Sequence, residues 1–385
     1  MNFEIVPTVI ILTLAGSHSY GMNTAESDVD VRGICVAPFD IRISSFHRFE
    51  QYQGEWPTDL EMNMSFNDNR YKEVCYINNQ WQRPEDLVIY DIAKAIKLIG
   101  ECNPNMLELL FCDRNDYLLI GQMGEKLLEV RDKFLTLKAK HTYTGYAMSQ
   151  LKKIERHRAY LLGEVPAKPI RSDYGLPEHE SLIPQAERNL INEEILNRIR
   201  DWTADNIELG AAERLTLNDN LRSFMCAALK VKDNELDESL EDTAAESLGF
   251  NQDVREILRR ERGFRNALKA YKSYQRWESE RNPKRKMLEE KHGFDTKHAS
   301  HLIRLARSGI EILRDGKLNV RREDAEELLA IRRGERPFEE VKNEAETLLE
   351  GMNDLYKKNP TNLPRSIDTV YLDNLTREIV LMSLR

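Results

Sequence analysis

Gly16-Ser17-His18-Ser19-Tyr20-Gly21-Met22-Asn23-Thr24-Ala25-Glu26-Ser27-Asp28-Val29-Asp30-Val31-Arg32-Gly33 is the stretch that decides the fold. An apolar run enters it (Val9, Ile10, Ile11, Leu12, Leu14), and a second apolar segment leaves it after Asp30. Residues two apart in a strand share a face, so Asp28 and Asp30 project together while Val29 and Val31 point back into a core. Gly16 lets the backbone adopt positive φ and approach a ligand closely. The Ser17 hydroxyl and neighbouring amides can donate to phosphate oxygens, best where a helix begins.

The two halves complement each other chemically. Hard divalent cations take oxygen ligands and are commonly held by one or two carboxylates together with substrate phosphates. Asp-x-Asp alone is a weak signal, since it also occurs in solvated acidic turns. The order of the parts is more telling: apolar strand, Gly-Ser, short polar connection, then Asp-x-Asp entering a second strand. Such a hairpin can set a triphosphate against two metals.

The segment Gly16 to Gly33 resembles the signature of the DNA polymerase β-like nucleotidyltransferase superfamily. It is most similar to the branch of predicted bacterial and phage nucleotidyltransferases that includes the RNA-ligase-associated proteins. The resemblance implies an α+β fold, a small mixed β-sheet with flanking helices, followed by a mostly α-helical C-terminal region. It implies Mg²⁺ (or Mn²⁺) on Asp28 and Asp30, and a nucleoside triphosphate whose β and γ phosphates rest on Gly16 and Ser17. A nucleoside monophosphate would pass to an acceptor hydroxyl with release of pyrophosphate, an RNA end being one acceptor. His18, Tyr20 and Arg32 are further candidates for phosphate contact or for supporting the loop.

Members of the superfamily carry a third carboxylate on a neighbouring strand, as base or metal ligand. After a polar insertion from about 45 to 83, Pro84-Glu85-Asp86 leads into Leu87-Val88-Ile89-Tyr90, a short strand pattern. A helix with apolar Ile92, Ala95, Ile96 and Ile99 follows. Asp86, at the strand start, is the choice by position over Glu85, Asp91 and Glu73; Asp91 also suits the N-cap of the following helix. Asn103-Pro104 then opens another helix, and Glu108, among apolar neighbours, needs a partner if buried. The Asn-Pro and Glu-Leu-Leu pattern is similar to the branch too.

Beyond about residue 125 the pattern is helical. Tyr143, Tyr146, Ala147, Gln150, Leu151 and Ile154 mark one helix face, better read as core than as a base-stacking surface. Residues 163–185 are too rich in Pro and Gly for helix and read as a connector. These signals divide the chain into a catalytic domain over 1–124 and a helical domain over 125–385. In the latter, His298, His301, Arg304 and Arg307 recur at three-residue steps on one helix. That spacing lacks the H-E-x-x-H arrangement of a zinc helix and leaves two readings open: nucleotide contact, with His298 and Arg304 as candidates, or a packed interhelical face. The surrounding Lys-His-Ala-x-His-Leu-x-Arg-Leu block also resembles the family.

Composition bounds the rest. The 385 residues, 41% hydrophobic and 31% charged, suffice for two or three packed units. No apolar stretch approaches the roughly 20 residues of a membrane span, and a cytoplasmic protein is expected. Cys35, Cys75, Cys102, Cys112 and Cys226 lack C-x-x-C spacing and read as reduced and structural. A net charge of −9 argues against a dominant non-specific grip on nucleic acid. The basic clusters at 152–158, 259–262, 281–286, 321–322 and 332–333 read first as solvated helix faces. No heptad run supports a coiled coil. Two other classes stay open: a catalytically silent, antitoxin-like binding protein of the same shape, and an enzyme nucleotidylating a protein or small molecule.

Overall fold

The computed structural model describes residues 3–24, 27–46, 48–56, 76–77, 80–81, 84, 86–163, 165–178, 181, 183–202, 226 and 236–384. Most of the 45–83 insertion, with Glu73 and Cys75, lies outside the described residues, as does Glu85. The chain divides into two compact units. The first comprises Met1–Ile154 and Thr296–Arg385, the second Glu155–Asp295.

The apolar run of the N-terminus forms β1 (Val9–Ala15), and it is interior: its first six residues are buried on both faces. Across a short helix, α1 (Gly16–Tyr20), the chain returns antiparallel as β2 (Asp30–Cys35). After α2 (Phe39–Ile43) come β3 (Gln51–Gly54) and a two-residue ladder of β4 (Tyr76–Ile77) with β5 (Gln80–Trp81). Then β6 (Asp86–Asp91) runs parallel to β2, and β7 (Tyr117–Ile120) antiparallel to β1. The main sheet is therefore mixed, in the order β3-β6-β2-β1-β7. One of its faces is filled by Leu12, Leu14, Val29, Val31, Leu87 and Ile89, so Val29 and Val31 do point into the core.

Helices flank this sheet. α3 (Ile92–Gly100) buries Ile92, Ala95, Ile96 and Ile99, and Asp91 caps it by accepting from the Ala93 amide at 3.0 Å. α4 (Pro104–Phe111) is capped by Asn103 with Pro104 in its first turn. α5 (Gln122–Glu129) lies on β1, and α6 (Lys138–Leu162) buries Tyr143, Ala147, Leu151 and Ile154 as core. The C-terminal part of the same unit supplies α11 (Thr296–Asp315), packed with α12 (Ala325–Arg332) and α13 (Phe338–Lys358), and α14 (Thr369–Met382) against α3. The α+β class and the helical C-terminal region are as expected.

The second unit contains α7 (Gln185–Trp202), α8 (Leu236–Ser247), α9 (Gln252–Glu280) and α10 (Pro283–His292). Ile183, Ile191, Ala244, Ala245 and Leu258 form its apolar cluster. Its basic segments sit against carboxylates: Arg259 on Asp242, Arg262 on Glu241, Arg281 on Glu278 and Glu289. No described helix is long and apolar enough to cross a membrane. Cys35, Cys102, Cys112 and Cys226 are free thiols.

The seat of α5 on β1 is close enough to be tested. A Cβ built on Gly124 would stand inside van der Waals contact of the Ile10 carbonyl. Alanine in a helix interior is ordinarily favoured over glycine by about 1 kcal/mol. Overpacking costs about 1–3 kcal/mol, and here the obstacle is backbone rather than a flexible side chain. Gly124→Ala is expected to lower the urea midpoint; a raised midpoint would show that helix and strand are less closely apposed.

Candidate active site

The site forms where β1, β2 and β6 end together. Ala15 pairs with Asp30 across the hairpin, and Asp30 pairs in register with Asp86 on the parallel strand. Neighbouring strands lie about 4.8 Å apart and paired residues share a face, so the sheet itself sets these two carboxylates side by side. Asp28 precedes β2 by two residues and is exposed, whereas Asp30 is half-buried. The strand thus starts at the second carboxylate of the pair, with the first on its lead-in.

Gly16 explains why the turn is tolerated there. Its φ is +62°, the left-handed region in which a side chain is strained. A Cβ at this position would stand 2.5 Å from Asp30 Oδ2, so the missing side chain gives the carboxylate its place over the turn. α1 begins at this residue, with Ser17 half-buried and His18 and Ser19 buried; Ser19 Oγ donates to the Gly16 carbonyl at 3.0 Å. A cavity of about 190 Å³ opens beside the turn, lined by Gly16, Tyr20, Asp30, Arg32, Asn105 and Glu108 among others.

Electrostatically the pocket is acidic and partly compensated. Burial pushes the Asp30 carboxyl above its usual value; Arg32 offsets this in part, Asp86 adds to it, Lys297 opposes and Asp28 adds again. Arg32 Nη2 lies 2.6 Å from Asp86 Oδ2. Such crowding of carboxylates suits a divalent cation, whose charge relieves the repulsion. Asp30 and Asp86 stand side by side across the ladder, but Asp28, Asp30 and Asp86 do not bring three ligand atoms within 4.8 Å of one another. Asp91 is committed elsewhere: it is buried, caps α3, accepts from the Ala37 amide at 3.2 Å and pairs with Arg42. Among the described residues, three metal-ligating side chains approach within 4.8 Å of one another only at His157, Glu289 and Asp295, in the second unit.

A buried polar lock closes the other side of the turn. Tyr20 donates to Glu108 Oε2 at 2.7 Å, and Arg304 Nη1 donates to Glu108 Oε1 at 2.5 Å. The Arg304 guanidinium lies 3.8 Å from the Tyr20 ring centroid, and its Nη2 donates to His301 Nδ1 at 3.0 Å. Burial, with Arg304 next, pushes the His301 imidazole well below its ordinary value, so it accepts this bond as the neutral ring. The Arg322 amide adds a bond to the Tyr20 carbonyl at 3.0 Å.

The sequence candidates therefore gather unevenly. Gly16, Ser17, His18, Tyr20, Asp28, Asp30, Arg32 and Asp86 meet at one end of the sheet. His298 is half-buried in the first turns of α11, and Arg304, 2% exposed, is the partner of Glu108. Lys297 near Asp30 was missed. Its neighbours in the Lys-His-Ala-x-His block were singled out, but a lone exposed lysine carries no spacing signal.

A glycine turn, adjoining strands that align Asp30 with Asp86, and helices behind them make up the candidate site. Residues 4–165 match the model of the RNA repair pathway DNA polymerase beta family, which supports a likeness of this region to the DNA polymerase β-like nucleotidyltransferase branch. No curated protein and no solved structure matches the chain. Arg304 and Arg322, which hold Tyr20, lie beyond the matched region.

Removing one member of a buried ion pair strands the other and costs about 3–5 kcal/mol. Arg304→Met should destabilise the chain on that scale in chemical denaturation. The double variant Glu108→Gln/Arg304→Met should recover part of the loss, because no unpaired charge remains. Additive losses would mean that the two groups are not coupled.

Proposed function

We propose that the chain is a metal-dependent nucleotidyltransferase that moves a nucleoside monophosphate from a nucleoside triphosphate to an acceptor hydroxyl, with an RNA end as the acceptor. The observation that carries the reading is the alignment of Asp30 with Asp86 across β2 and β6, directly over the Cβ-less Gly16. The family match adds the association with RNA repair.

In this reading residues 1–124 hold the reacting groups and the helices from 125 onward support them. Gly16 and Ser17 receive the β and γ phosphates, with His18 and His298 contributing contacts. Tyr20 is held by Glu108 and Arg304, which keeps the end of the turn fixed while charge moves. Asp28, Asp30 and Asp86 would hold Mg²⁺ or Mn²⁺, which would neutralise charge developing at the α-phosphorus and on the departing pyrophosphate. The bond formed joins the acceptor oxygen to the α-phosphorus, and the bond broken is that to the β-phosphate bridge. Asp86 takes the hydroxyl proton, and Arg32, 2.6 Å from its Oδ2, orients the carboxylate. Positioning and electrostatics supply most of the rate.

Acceptor choice follows from charge. Arg259, Arg260, Arg262 and Arg281 are engaged with carboxylates, which reduces what these clusters offer to a broad, salt-sensitive grip on RNA. Recognition of an end rather than of a long backbone fits this surface.

The test is transfer of label from each α-³²P nucleoside triphosphate, with Mg²⁺ or Mn²⁺, into RNA of defined ends, total protein and small-molecule fractions. Label is expected in RNA, reduced by about 100-fold or more in Asp28→Ala or Asp30→Ala and less in Ser17→Ala, where amides remain. Label confined to protein would move the acceptor to a side chain. Triphosphate binding with no transfer to any fraction would favour the silent binding protein.

Asp30 also gives a pH prediction. Its carboxyl titrates higher in the folded chain than in the unfolded one, so the folded state binds more protons in that window. Metal-free stability should fall as pH rises from the unfolded value, about 3.9, through the folded one. At neutral pH the full penalty remains. Asp30→Asn should remove that dependence, raise the metal-free melting temperature at neutral pH, and abolish transfer. A variant less stable than its parent there would show that the charge is not strained.

A further inference from the structure

Three ligating side chains from separate stretches meet inside the second unit. His157 lies on α6, Glu289 on α10, and Asp295 just before α11. One ligand atom from each falls within 4.8 Å of the other two, and the residues are 9%, 4% and 3% exposed. We propose that His157, Glu289 and Asp295 form a zinc site in which a water would complete four ligands, distinct from the nucleotide site and independent of the reaction assigned above.

The distances suit that ion. Tetrahedral ligands at about 2.1 Å from zinc stand about 3.4 Å apart, and His157 Nδ1 is already 3.9 Å from Asp295 Oδ2. One imidazole and two carboxylates are donors that zinc accepts, whereas magnesium favours all-oxygen octahedral sites with several waters. The surroundings resemble a supporting shell. Arg281 Nε and Nη2 lie 3.0 and 2.9 Å from Glu289 Oε2 and orient that carboxylate. Arg281 itself lies over the Trp277 ring at 4.3 Å, and that ring stands 5.8 Å from the His157 ring, so an aromatic wall flanks the cluster.

The charge balance also calls for a cation. Two carboxylates, Glu289 and Asp295, are enclosed together with one imidazole and the Arg281 guanidinium. Two carboxylates buried together favour a bound cation, and Arg281 meets one of them, Glu289. His157 and Asp295 stand close to the two points where the chain enters and leaves this unit, whose bounds are Glu155 and Asp295. A metal here would close the whole intervening loop and restrict the unfolded chain.

The full chain, expressed with zinc and dialysed against metal-free buffer, is to be analysed by elemental mass spectrometry. About one zinc per chain is expected, retained in Asp28→Ala/Asp30→Ala and lost in His157→Ala and in Glu289→Gln. Retention in the first variant separates this site from the nucleotide site even if no transfer is ever observed. Because His157→Ala can fail to fold, a second readout uses the parent chain stripped with chelator. Added Zn²⁺ should raise its melting temperature by several degrees, and Co²⁺ should give the visible d–d absorption of a four-coordinate site. Absence of stoichiometric zinc with no thermal shift, or zinc undiminished in both ligand variants, would overturn the site and leave a proton-sharing ion-pair cluster.

Discussion

A guanidinium removed from water cannot be left without a carboxylate, and the burial of Arg304 is the constraint on which the first unit depends. Its partner Glu108 is itself enclosed and accepts from Tyr20 as well. α11 must therefore lie where Arg304 can reach α4, and α1 must end where Tyr20 can reach both. An apolar trio of similar volume would hold these helices as well or better. What the polar trio adds is direction, since two hydrogen bonds and a stacked ring fix the end of α1 far more narrowly than packed methyl groups would. The turn that carries Gly16 and Ser17 is that same α1.

The opposite side of the turn shows the inverse economy. Asp30 is held partly out of water beside Asp86, with Asp28 near, at an electrostatic cost that Arg32 and Lys297 only reduce. A fold optimised for stability alone would place a neutral residue there. The strain is sustained by the β2–β6 register, which cannot slip by one residue without turning the whole buried face of the strand outward. Core packing thus enforces an arrangement of charges that would relax if the strands were free.

Much of this was legible from residue order. Val9–Leu14, Gly16-Ser17 and Asp28-x-Asp30 gave the hairpin because periodicity, glycine and carboxylate spacing are local signals. Asp86 could be preferred over Asp91 by its place at the strand start, and Asp91 also suited the N-cap that it forms on α3, where it pairs with Arg42. The pairing of Glu108 with Arg304, separated by 196 residues, was not readable. Glu108 announced only that it needed a partner, and α11 offered two arginines three residues apart. Which one turns inward depends on the packing of α11 against α12 and α13; Arg307 instead meets Asp324 and Glu344. The helix face read as open between nucleotide contact and packing is, at Arg304 and Arg307, a packed one.

The two units solve the same problem with different means. The first buries a sheet whose strand β1 is enclosed on both faces, and hydrophobic transfer at about 25 cal/mol per Å² dominates there. In the second, the described apolar cluster is small and contains two alanines. Several of its enclosed contacts are ionic instead: Arg171 on Glu261, Arg262 on Glu241, Arg281 on Glu289. Ion pairs of this kind orient helices well but contribute little net stability once desolvation is counted. A bound metal is a cross-link that such ionic contacts would accommodate. The cluster of His157, Glu289 and Asp295 sits where such a cross-link would act on the longest stretch of chain, which is why the polar character of this unit and the proposed metal belong to one argument.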